Sequence, residues 1–514
     1  MYGCMERGLL LMKKRLLHLM QAIVFFALLA FVLAAVGRVV ERKQSRQRFG
    51  PFLENPQSYD VLLLGDSHVV NGIYPMELWA DYGIASYNMA SYGNSMVVSY
   101  WTLMYALDYM TPKLVVLGVK DAEKTDRITG SSGDLHNALD GLPYTRTKGR
   151  AIRDLMSDPK EVDYEGRRYV DMRWEYYLPF GKYHGRWSEL NRSDFQYHPD
   201  RQKGGEILTG HAKPYENEFA DENDMCEEKG VGFVYLRKII EECQSRGIGL
   251  LLTHIPYPAM LECQTSANRV REIAGEYGVD YIDFVYQDQT VDYQVDMFDE
   301  FSHLNASGAR KVTDYLGRYI MDHFDVPDRR DDAAYQSWYA DYDAYTDDKL
   351  DLIRSQTELK LALMLLHDTH FSVCMSVAAG SPLFSDETLM TLAHNIAREH
   401  VYEEDGYGKF SNTMFPLEGL DWAQPDQEQY FLLLDRKQDN LLLECVGSGE
   451  ELDHEETSFG AVTYRYEDGQ PTMTLEHGGK TTSYAFAPLR AGQYGVQLLV
   501  IDSRTDEVAA QLSF

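Results

Sequence analysis

The stretch Val61-Leu62-Leu63-Leu64-Gly65-Asp66-Ser67-His68 decides the fold of this chain. Four apolar residues stop abruptly at a glycine, and a short apolar run bounded in this way predicts a buried strand of a parallel sheet. Ligands of open α/β sheets collect outside the carboxyl ends of such strands, so Ser67 lies where a nucleophile is expected. A serine is inert unless a base takes its proton and hydrogen-bond donors hold the oxyanion, and the rest of the chain must supply both.

Residues 59–324 alternate short apolar runs with amphipathic or polar stretches, which is typical of β-α-β units. The clearest helix is predicted for residues 230–246, where apolar side chains recur every three or four positions and Gly247 supplies a stop. We therefore expect an α/β domain with a parallel sheet over residues 51–324. After the first strand, its predicted strands cover residues 85–89, 114–119, 249–253 and 281–284.

Composition excludes some classes of function. The 514 residues are enough for two or three domains, and 80 acidic against 49 basic residues give a net charge of -31. Such acidity argues against broad contact with a nucleic-acid backbone. No zinc-like histidine spacing occurs, so neither a metal nor a cofactor is predicted. The six cysteines lack CxxC or metal spacing, which favours buried thiols but leaves disulfides open: Cys4, Cys226, Cys243, Cys263, Cys374 and Cys445.

The N-terminus contains 22 residues without a formal charge, 16–37, between Arg15 and Arg38. At about 1.5 Å per residue this segment can cross a bilayer core of roughly 30 Å. We expect residues 1–50 to form a short cytoplasmic tail and a transmembrane anchor, because the basic flank continues to Arg48; a cleaved signal peptide is the alternative. Basic residues flank both ends and do not settle the orientation. Since the chain beyond an N-terminal span of this type is usually exported, we expect the remainder to lie outside the cytoplasm.

Three further regions complete the predicted organisation. Residues 121–228 read as an irregular insertion rich in aromatic and arginine side chains, which suits a lid, a sugar-stacking loop or simple packing. Residues 325–360 are predicted to form an acidic, partly helical linker and a helix. Residues 361–514 read as a mostly β domain with one helix at 386–399 and strands at 371–377, 430–434, 440–445, 461–466, 472–475, 483–486, 495–501 and 508–512.

A second segment with candidate catalytic side chains lies far downstream, at residues 298–309, Phe-Asp-Glu-Phe-Ser-His-Leu-Asn-Ala-Ser-Gly-Ala. It places His303 on a loop before a predicted helix. Serine hydrolysis needs an imidazole oriented by a carboxylate, and the order of the three groups along the chain is free. Glu300, three residues before the histidine, can reach one ring nitrogen while the other faces Ser67. Asp299 is the close competitor.

Three blocks in order resemble the SGNH/GDSL hydrolase superfamily: Gly65-Asp66-Ser67, Gly93 within residues 88–95, and the carboxylate-x-x-His block ending at His303. The resemblance covers about residues 55–324 and implies a flavodoxin-like three-layer domain. Residues 302–309, with the pattern Ser-His-Leu-Asn-x-x-Gly-Ala, resemble the corresponding motif in one branch of this superfamily, which consists of membrane-anchored envelope proteins. That branch partners membrane-bound O-acyltransferases in alginate acetylation and teichoic-acid D-alanylation.

The resemblance implies roles for individual residues. Ser67 would be the nucleophile and His303 the general base, with Glu300 or Asp299 orienting it, since the family has aspartate where Glu300 stands. Backbone N–H groups of Ser67 and Gly93 would form the oxyanion hole. The family's asparagine block is not clear, because Asp121 stands in its place within residues 117–121.

Three more side chains near the predicted edge are candidates for substrate binding: Asp66, His68 and His254. His68 follows the nucleophile and either lines the site or packs and caps the next helix. His254 ends a predicted strand at the catalytic edge and either binds or packs.

The C-terminal region has a weaker resemblance. Residues 495–508, with the 371–377 strand and the helix that starts near Asp386, are similar to the interleukin-like EMT inducer fold, which also occurs as a sugar-binding stem domain in a glycosyltransferase. The resemblance covers about residues 360–514 and implies a β-sandwich-like accessory module for glycan contact. A β domain of another role is the alternative.

These inferences predict a membrane-anchored, extracytoplasmic SGNH-type O-acyltransferase or esterase. It would modify a cell-envelope or exported polysaccharide through a serine acyl-enzyme, with a membrane-bound O-acyltransferase as partner. The alternative is a catalytically inactive scaffold or glycan-binding subunit of an acyl-transfer complex. The unclear asparagine block favours the alternative, whereas the presence of Ser67 and His303 opposes it.

Overall fold

The computed structural model describes most of the chain. The described residues are 2–120, 122–157, 162–164, 167–169, 173–196, 200–212, 216, 218–286, 290–300, 302–368, 370–396, 401–403, 409–411, 429–437, 441–446, 453–467, 470–486 and 489–514. Asp121, a predicted site residue, lies outside them.

The chain begins with a long helix, α1 (Tyr2–Val40), followed by α2 (Gln44–Glu54). Within the described residues, the segment Met12–Val40 of α1 is the one that is long and apolar enough to cross a membrane. Its apolar side chains are exposed up to Val36, apart from the half-buried Leu33. A single exposed apolar helix at the N-terminus fits a single-pass membrane anchor or a signal sequence.

A five-stranded parallel sheet forms the centre of the α/β domain, with the strand order β2-β1-β3-β6-β7. The predicted positions of all five strands are confirmed, with bounds that differ by at most one residue at an end. The bounds are β1 (Val61–Leu64), β2 (Ser86–Asn88), β3 (Leu114–Gly118), β6 (Gly249–His254) and β7 (Asp280–Asp283). β1 pairs with both β2 and β3, so Ser67 follows an interior strand.

Helices cover both faces of this sheet. Val61 and Leu63 pack with α3, α4 and α11 on one face, and Leu62 and Leu64 pack with α5, α9 and α10 on the other. Burial on both faces is the reason that the strand reads as an unbroken apolar run. The helices are α3 (Ser67–Gly72), α4 (Pro75–Tyr82), α5 (Met96–Ala106), α9 (Val231–Arg246), α10 (Leu261–Tyr277) and α11 (Ala306–His323).

The insertion at 121–228 is more ordered than the sequence suggests. Its described part contains α6 (Ser132–Leu139), α7 (Arg146–Leu155) and α8 (Pro179–Tyr183), the short strands β4 (Val162–Tyr164) and β5 (Arg167–Tyr169), and the 3-10 turns Arg173–Tyr176, His184–Ser188 and Arg192–Phe195. Leu135 and Ile152 lie in the domain core. The prediction of an irregular insertion is therefore wrong for α6 and α7, whose apolar positions are separated by polar residues and glycines.

The segment predicted as a partly helical acidic linker and a helix, residues 325–360, is largely helical. Residues 336–354 form one helix, α12 (Gln336–Arg354), and a short helix follows, α13 (Leu359–Leu365). Trp338 and Tyr345 of α12 are buried in the core of the α/β domain. The acidic residues dominate the composition of this segment, but the aromatic residues between them fix it to the domain.

The C-terminal region is built from antiparallel sheets, as predicted. One sheet has the order β12-β11-β8-β17-β18 and another β13-β14-β15-β16. The helix is α14 (Glu387–Ile396), and the strands are β8 (Phe371–Val377), β9 (Val401–Glu403), β10 (Lys409–Ser411), β11 (Tyr430–Asp435), β12 (Leu441–Val446), β13 (Asp453–Thr457), β14 (Gly460–Glu467), β15 (Gln470–His477), β16 (Lys480–Ala485), β17 (Val496–Asp502) and β18 (Glu507–Ser513). The sequence missed β13 because its residues, Asp-His-Glu-Glu-Thr, are polar throughout.

Candidate active site

Ser67 is placed by a sharp turn between β1 and α3. Gly65 has a φ of 144°, and a Cβ there would lie 2.7 Å from Cγ2 of Val69, so a larger residue would be both strained and crowded. Asp66 caps α3, since its Oδ1 accepts a hydrogen bond from the His68 N–H at 3.1 Å. Ser67 is therefore the first residue of the helix, at the carboxyl edge of the sheet.

The structure brings His303 to Ser67, 236 residues apart in the chain. Nε2 of His303 lies 2.9 Å from Oγ of Ser67, and Nδ1 lies 2.5 Å from Oδ2 of Asp299. The His303 and Asp299 side chains are 21% and 32% exposed, so the site is open to a ligand. Asp299, His303 and Ser67 thus form one hydrogen-bonded series, an arrangement in which an imidazole could take the proton of a serine hydroxyl.

Asp299, and not Glu300, makes the contact with His303. Oδ1 of Asp299 also accepts hydrogen bonds from the N–H groups of Ser302, at 2.7 Å, and His303, at 3.2 Å. These bonds close a turn that directs the carboxylate back to the imidazole, whereas Glu300 is exposed. The sequence left Glu300 and Asp299 open as the partner of His303, and this turn brings Asp299 to the imidazole.

Asn305 fixes the loop that carries His303. Its side chain caps α11 by accepting from the N–H groups of Ser307 and Gly308, at 3.0 and 3.2 Å. Its amide nitrogen donates to the carbonyls of Val295, at 2.7 Å, and Met297, at 3.3 Å. Because Asn305 is fully buried, one side chain ties the start of α11 to the chain that precedes the loop.

The loop after β2 brings Gly93 to the other side of the turn. Gly93 has a φ of 63°, and a Cβ there would lie 2.8 Å from Oδ2 of Asp134. The loop is tied to the Gly65 carbonyl, which accepts from the Ser91 N–H at 3.2 Å and from the Asn94 side chain at 3.1 Å. This bond uses one of the two N–H donors of the Asn94 side chain, and backbone N–H groups of the loop are further candidate oxyanion donors.

His68 is buried beside the site and is held by Asp66. Its Nδ1 lies 3.0 Å from Oδ2 of Asp66, and its ring centre lies 5.3 Å from that of His303. Burial lowers the pKa of His68 to about 4, against the opposing effect of Asp66. Burial alone would raise the pKa of Asp66, but His68 and Lys120 hold it well below its usual value. At neutral pH, His68 is therefore uncharged and Asp66 is ionised.

Lys120 is a site residue that the sequence reasoning missed. It follows β3, and its Nζ lies 3.5 Å from Nδ1 of His68 and 5.0 Å from the ring centre of Tyr257. Its place in the sequence, just after β3, could have indicated it. β3 pairs with β1, and the carboxyl ends of adjacent parallel strands meet at one edge of the sheet. The side chain adds a positive charge next to Asp66.

His254 lies at the end of β6, as predicted, but it belongs to a separate buried pair. Its Nδ1 lies 3.1 Å from Oδ1 of Asp283, whose other oxygen accepts from Arg271 at 3.0 Å. The Tyr257 ring contacts both buried histidines, with its centre 4.9 Å from that of His68 and 5.4 Å from that of His254. The position therefore fits the packing interpretation of His254.

The far end of the insertion borders the site, which the sequence did not show. The hydroxyl of Tyr92 donates to Glu206 at 3.0 Å and accepts from Asn71 at 3.0 Å, and the Tyr92 ring centre lies 6.4 Å from that of His303. The backbone N–H of Glu206 donates to the Val70 carbonyl. Tyr92 and Glu206 thus form part of the wall next to His303.

Among the described residues, one group has the side chains to hold a metal ion: Glu77, Asp368 and His370. Nζ of Lys349 already lies between its two carboxylates, 2.6 Å from Glu77 and in contact with Asp368. The lysine ammonium supplies the positive charge that a metal would bring, so these residues do not fit a metal site. Of the cysteines with described side chains, four are free thiols: Cys226, Cys243, Cys263 and Cys374.

No protein-family model matches the chain, and no curated protein matches it either. A solved structure from Bacteroides fragilis NCTC 9343, described as a candidate acylhydrolase, is similar to 55% of this chain over 98% of its own length. The two share 11% sequence identity with a TM-score of 0.27, a likeness too low to support an inference about fold or activity.

Proposed function

We propose that this chain is a serine-dependent acyl-ester hydrolase or O-acyltransferase. Ser67 is the nucleophile, His303 the general base and Asp299 the residue that orients it. The observation that carries the proposal is the series from Asp299 through His303 to Ser67, with contacts of 2.5 and 2.9 Å. The strand order and the three sequence blocks support an SGNH-type, flavodoxin-like domain.

The first half of the reaction transfers the acyl group to the enzyme. Oγ of Ser67 attacks the ester carbonyl carbon while its proton moves to Nε2 of His303. Asp299 stabilises the imidazolium that forms. The oxyanion accepts hydrogen bonds from the N–H groups of Ser67 and Gly93, the first of which has no partner inside its own helix. The ester C–O bond then breaks, and the alcohol leaves with the proton from His303.

The second half releases the acyl group from Ser67. An incoming hydroxyl gives its proton to Nε2 of His303 and attacks the acyl carbon, and Oγ of Ser67 then leaves and regains the proton. Water as the acceptor gives hydrolysis, and a sugar hydroxyl gives transfer. The wall that contains Tyr92 and Glu206 lies beside the base and is where an acceptor would be selected.

The cellular setting is proposed from the N-terminus and the sequence resemblance. α1 would anchor the protein in a membrane with the α/β domain outside the cytoplasm, next to a membrane-bound O-acyltransferase and a polysaccharide substrate. The features that support this are the exposed apolar helix and the form of residues 302–309. The C-terminal sheets would serve as an accessory module for glycan contact.

The esterase assay compares the full-length protein with Ser67→Ala and Ser302→Ala. Ser302 is the matched control, because its Oγ lies 3.3 Å from Nδ1 of the same histidine, on the side away from Ser67. With a small acetyl ester we expect turnover by the wild type and Ser302→Ala and none above background by Ser67→Ala. Glycan binding without turnover by the wild type would instead support the inactive scaffold.

A further inference from the structure

Five large aromatic side chains are exposed within one part of the insertion. The exposed fractions are 68% for Tyr144, 47% for Trp174, 47% for Tyr177, 72% for Trp187 and 66% for Phe195. Exposed apolar patches of this kind mark sites of interaction with another molecule or with a membrane. We call these five residues the aromatic collar.

The surface that carries the collar is where α1 joins the domain. The last turn of α1 is built into the insertion: a Cβ at Gly37 would lie 3.3 Å from the backbone nitrogen of Phe180, and Arg186 donates to the Val40 carbonyl at 2.6 Å. Val40 is 2% exposed, whereas Val36 is 40% exposed. The helix therefore leaves the domain over a single turn, without a linker.

Three collar residues adjoin this junction through a neighbour in the sequence or a contact. Trp187 follows Arg186, and Phe195 follows Asp194, which accepts from Arg186 at 2.8 Å. Trp174 packs against Gly181, the residue after Phe180.

The remaining two collar residues lie beside these. Tyr177 is at the end of the same turn as Trp174, and its ring centre lies 5.7 Å from that of Tyr144. A membrane crossed by the exposed part of α1 would therefore begin beside the collar.

Charge around the junction also suits a membrane. Residues 38–48 contain five basic residues and one acidic residue, although the whole chain has a net charge of -31. Arg38, Arg42 and Arg46 are exposed. Lysine and arginine near a bilayer are attracted to anionic headgroups, and tryptophan and tyrosine concentrate at the membrane–water interface.

We propose that the aromatic collar lies in the headgroup layer of the bilayer that α1 enters and holds the α/β domain against the membrane surface. The sequence alone leaves a lid, a sugar-stacking loop and simple packing open for the aromatic residues of this region. Their position around the end of an exposed apolar helix favours lipid. The proposal depends on α1 as a membrane span and not on the chemistry of Ser67.

The test uses the full-length protein in phosphatidylcholine vesicles that contain an anionic lipid and carry bromine on the acyl chains close to the headgroup, a quencher of tryptophan fluorescence. We expect the bromolipid to quench part of the tryptophan emission of the wild type. In the double variant Trp174→Phe/Trp187→Phe, most of this quenching should be lost. Trp101→Phe is the matched control, because the Trp101 indole donates to Asp154 inside the domain. This control should keep the wild-type quenching.

Three outcomes would overturn the proposal. One is equal quenching of the wild type and the double variant. Another is protein that does not float with the vesicles, because α1 would then not hold the collar at a bilayer. In the third, soluble oligosaccharides protect Trp187 from an aqueous quencher and lipid does not. That result would indicate that these residues bind glycan.

Discussion

At the scale of single residues, the proposed activity depends on which carboxylate reaches His303. Asp299 Oδ2 contacts the imidazole, whereas the neighbouring Glu300 is exposed. An aspartate that orients a histidine keeps it in the tautomer that accepts the serine proton, and the corresponding amide reverses that preference. The two adjacent acidic residues therefore provide a matched pair.

We expect Asp299→Asn to lower kcat/KM by about 10³–10⁴ in an esterase assay, with the fold retained. Glu300→Gln should leave kcat/KM close to the wild-type value. Equal losses in the two variants would show that the observed turn does not select the orienting acid.

His68 predicts a specific pH dependence of stability. Its pKa is about 4 in the folded protein against an ordinary 6.5, so the unfolded chain binds more protons as the pH falls between these values. Stability is therefore lost on acidification through this window, by about 3 kcal/mol from this group. Asp66, Lys120 and His303 are the charged or titratable groups that set this pKa.

The measurement is urea unfolding of the wild type and His68→Asn from neutral pH down to pH 4. We expect the pH-dependent loss to be smaller in His68→Asn by about 3 kcal/mol, because asparagine does not titrate. Parallel curves for the two proteins would contradict the buried, neutral state of His68.

At the scale of elements, α11 and the loop before it form one unit through Asn305. This residue is both the helix cap and the donor to two buried carbonyls. Sequence could predict the cap, since asparagine before a helix is a common start signal. It could not predict the tie to Val295 and Met297, because that contact exists only once the loop has folded back.

We expect Asn305→Ala to lower the free energy of unfolding by about 2–4 kcal/mol and to lower kcat, since the cap and both donated bonds are lost. Asn191→Ala is the control, because Asn191 caps an exposed 3-10 turn and ties no catalytic loop. It should cost about 1 kcal/mol or less and leave kcat unchanged. Equal effects would show that Asn305 is only a cap.

Some of these elements could be predicted from the sequence and others could not. The strands of the parallel sheet were predictable because burial on both faces produces unbroken apolar runs, as in β1 and β3. The helices of the insertion were not, since residues such as Leu135 and Ile152 are buried by contacts that polar neighbours conceal. Ser67, His303 and a nearby carboxylate were predictable from chemistry, with Glu300 and Asp299 both as candidates. The choice of Asp299 needed the geometry of a turn, and Lys120 needed that of a sheet edge.

At the scale of the whole molecule, a buried charged cluster joins the α/β domain to the C-terminal sheets. Glu77 of α4 is fully buried and contacts Lys349 of α12 at 2.6 Å and His370, next to β8, at 2.9 Å. Lys349 also contacts Asp368. The acidic segment thus acts as a rigid connection between the two parts.

We expect Lys349→Met to destabilise the protein by about 3–5 kcal/mol, because Glu77 and Asp368 would stay buried without their shared cation. Arg354→Met on the same helix is the control, since the Arg354 side chain is 46% exposed and its ion pair with Asp351 should contribute less than about 1 kcal/mol. Thermal unfolding of both variants checks this. A small effect of Lys349→Met would contradict the role of the cluster.

The central claim is that Ser67 is an activated nucleophile, and covalent labelling tests it most directly. The full-length protein is treated with a fluorophosphonate that reacts with activated serines, and the modified peptide is identified by mass spectrometry. We predict one phosphonate on Ser67 in the wild type, much slower labelling in His303→Ala, and none in Ser67→Ala. Labelling of another serine, or no labelling of a folded wild-type protein, would contradict the account.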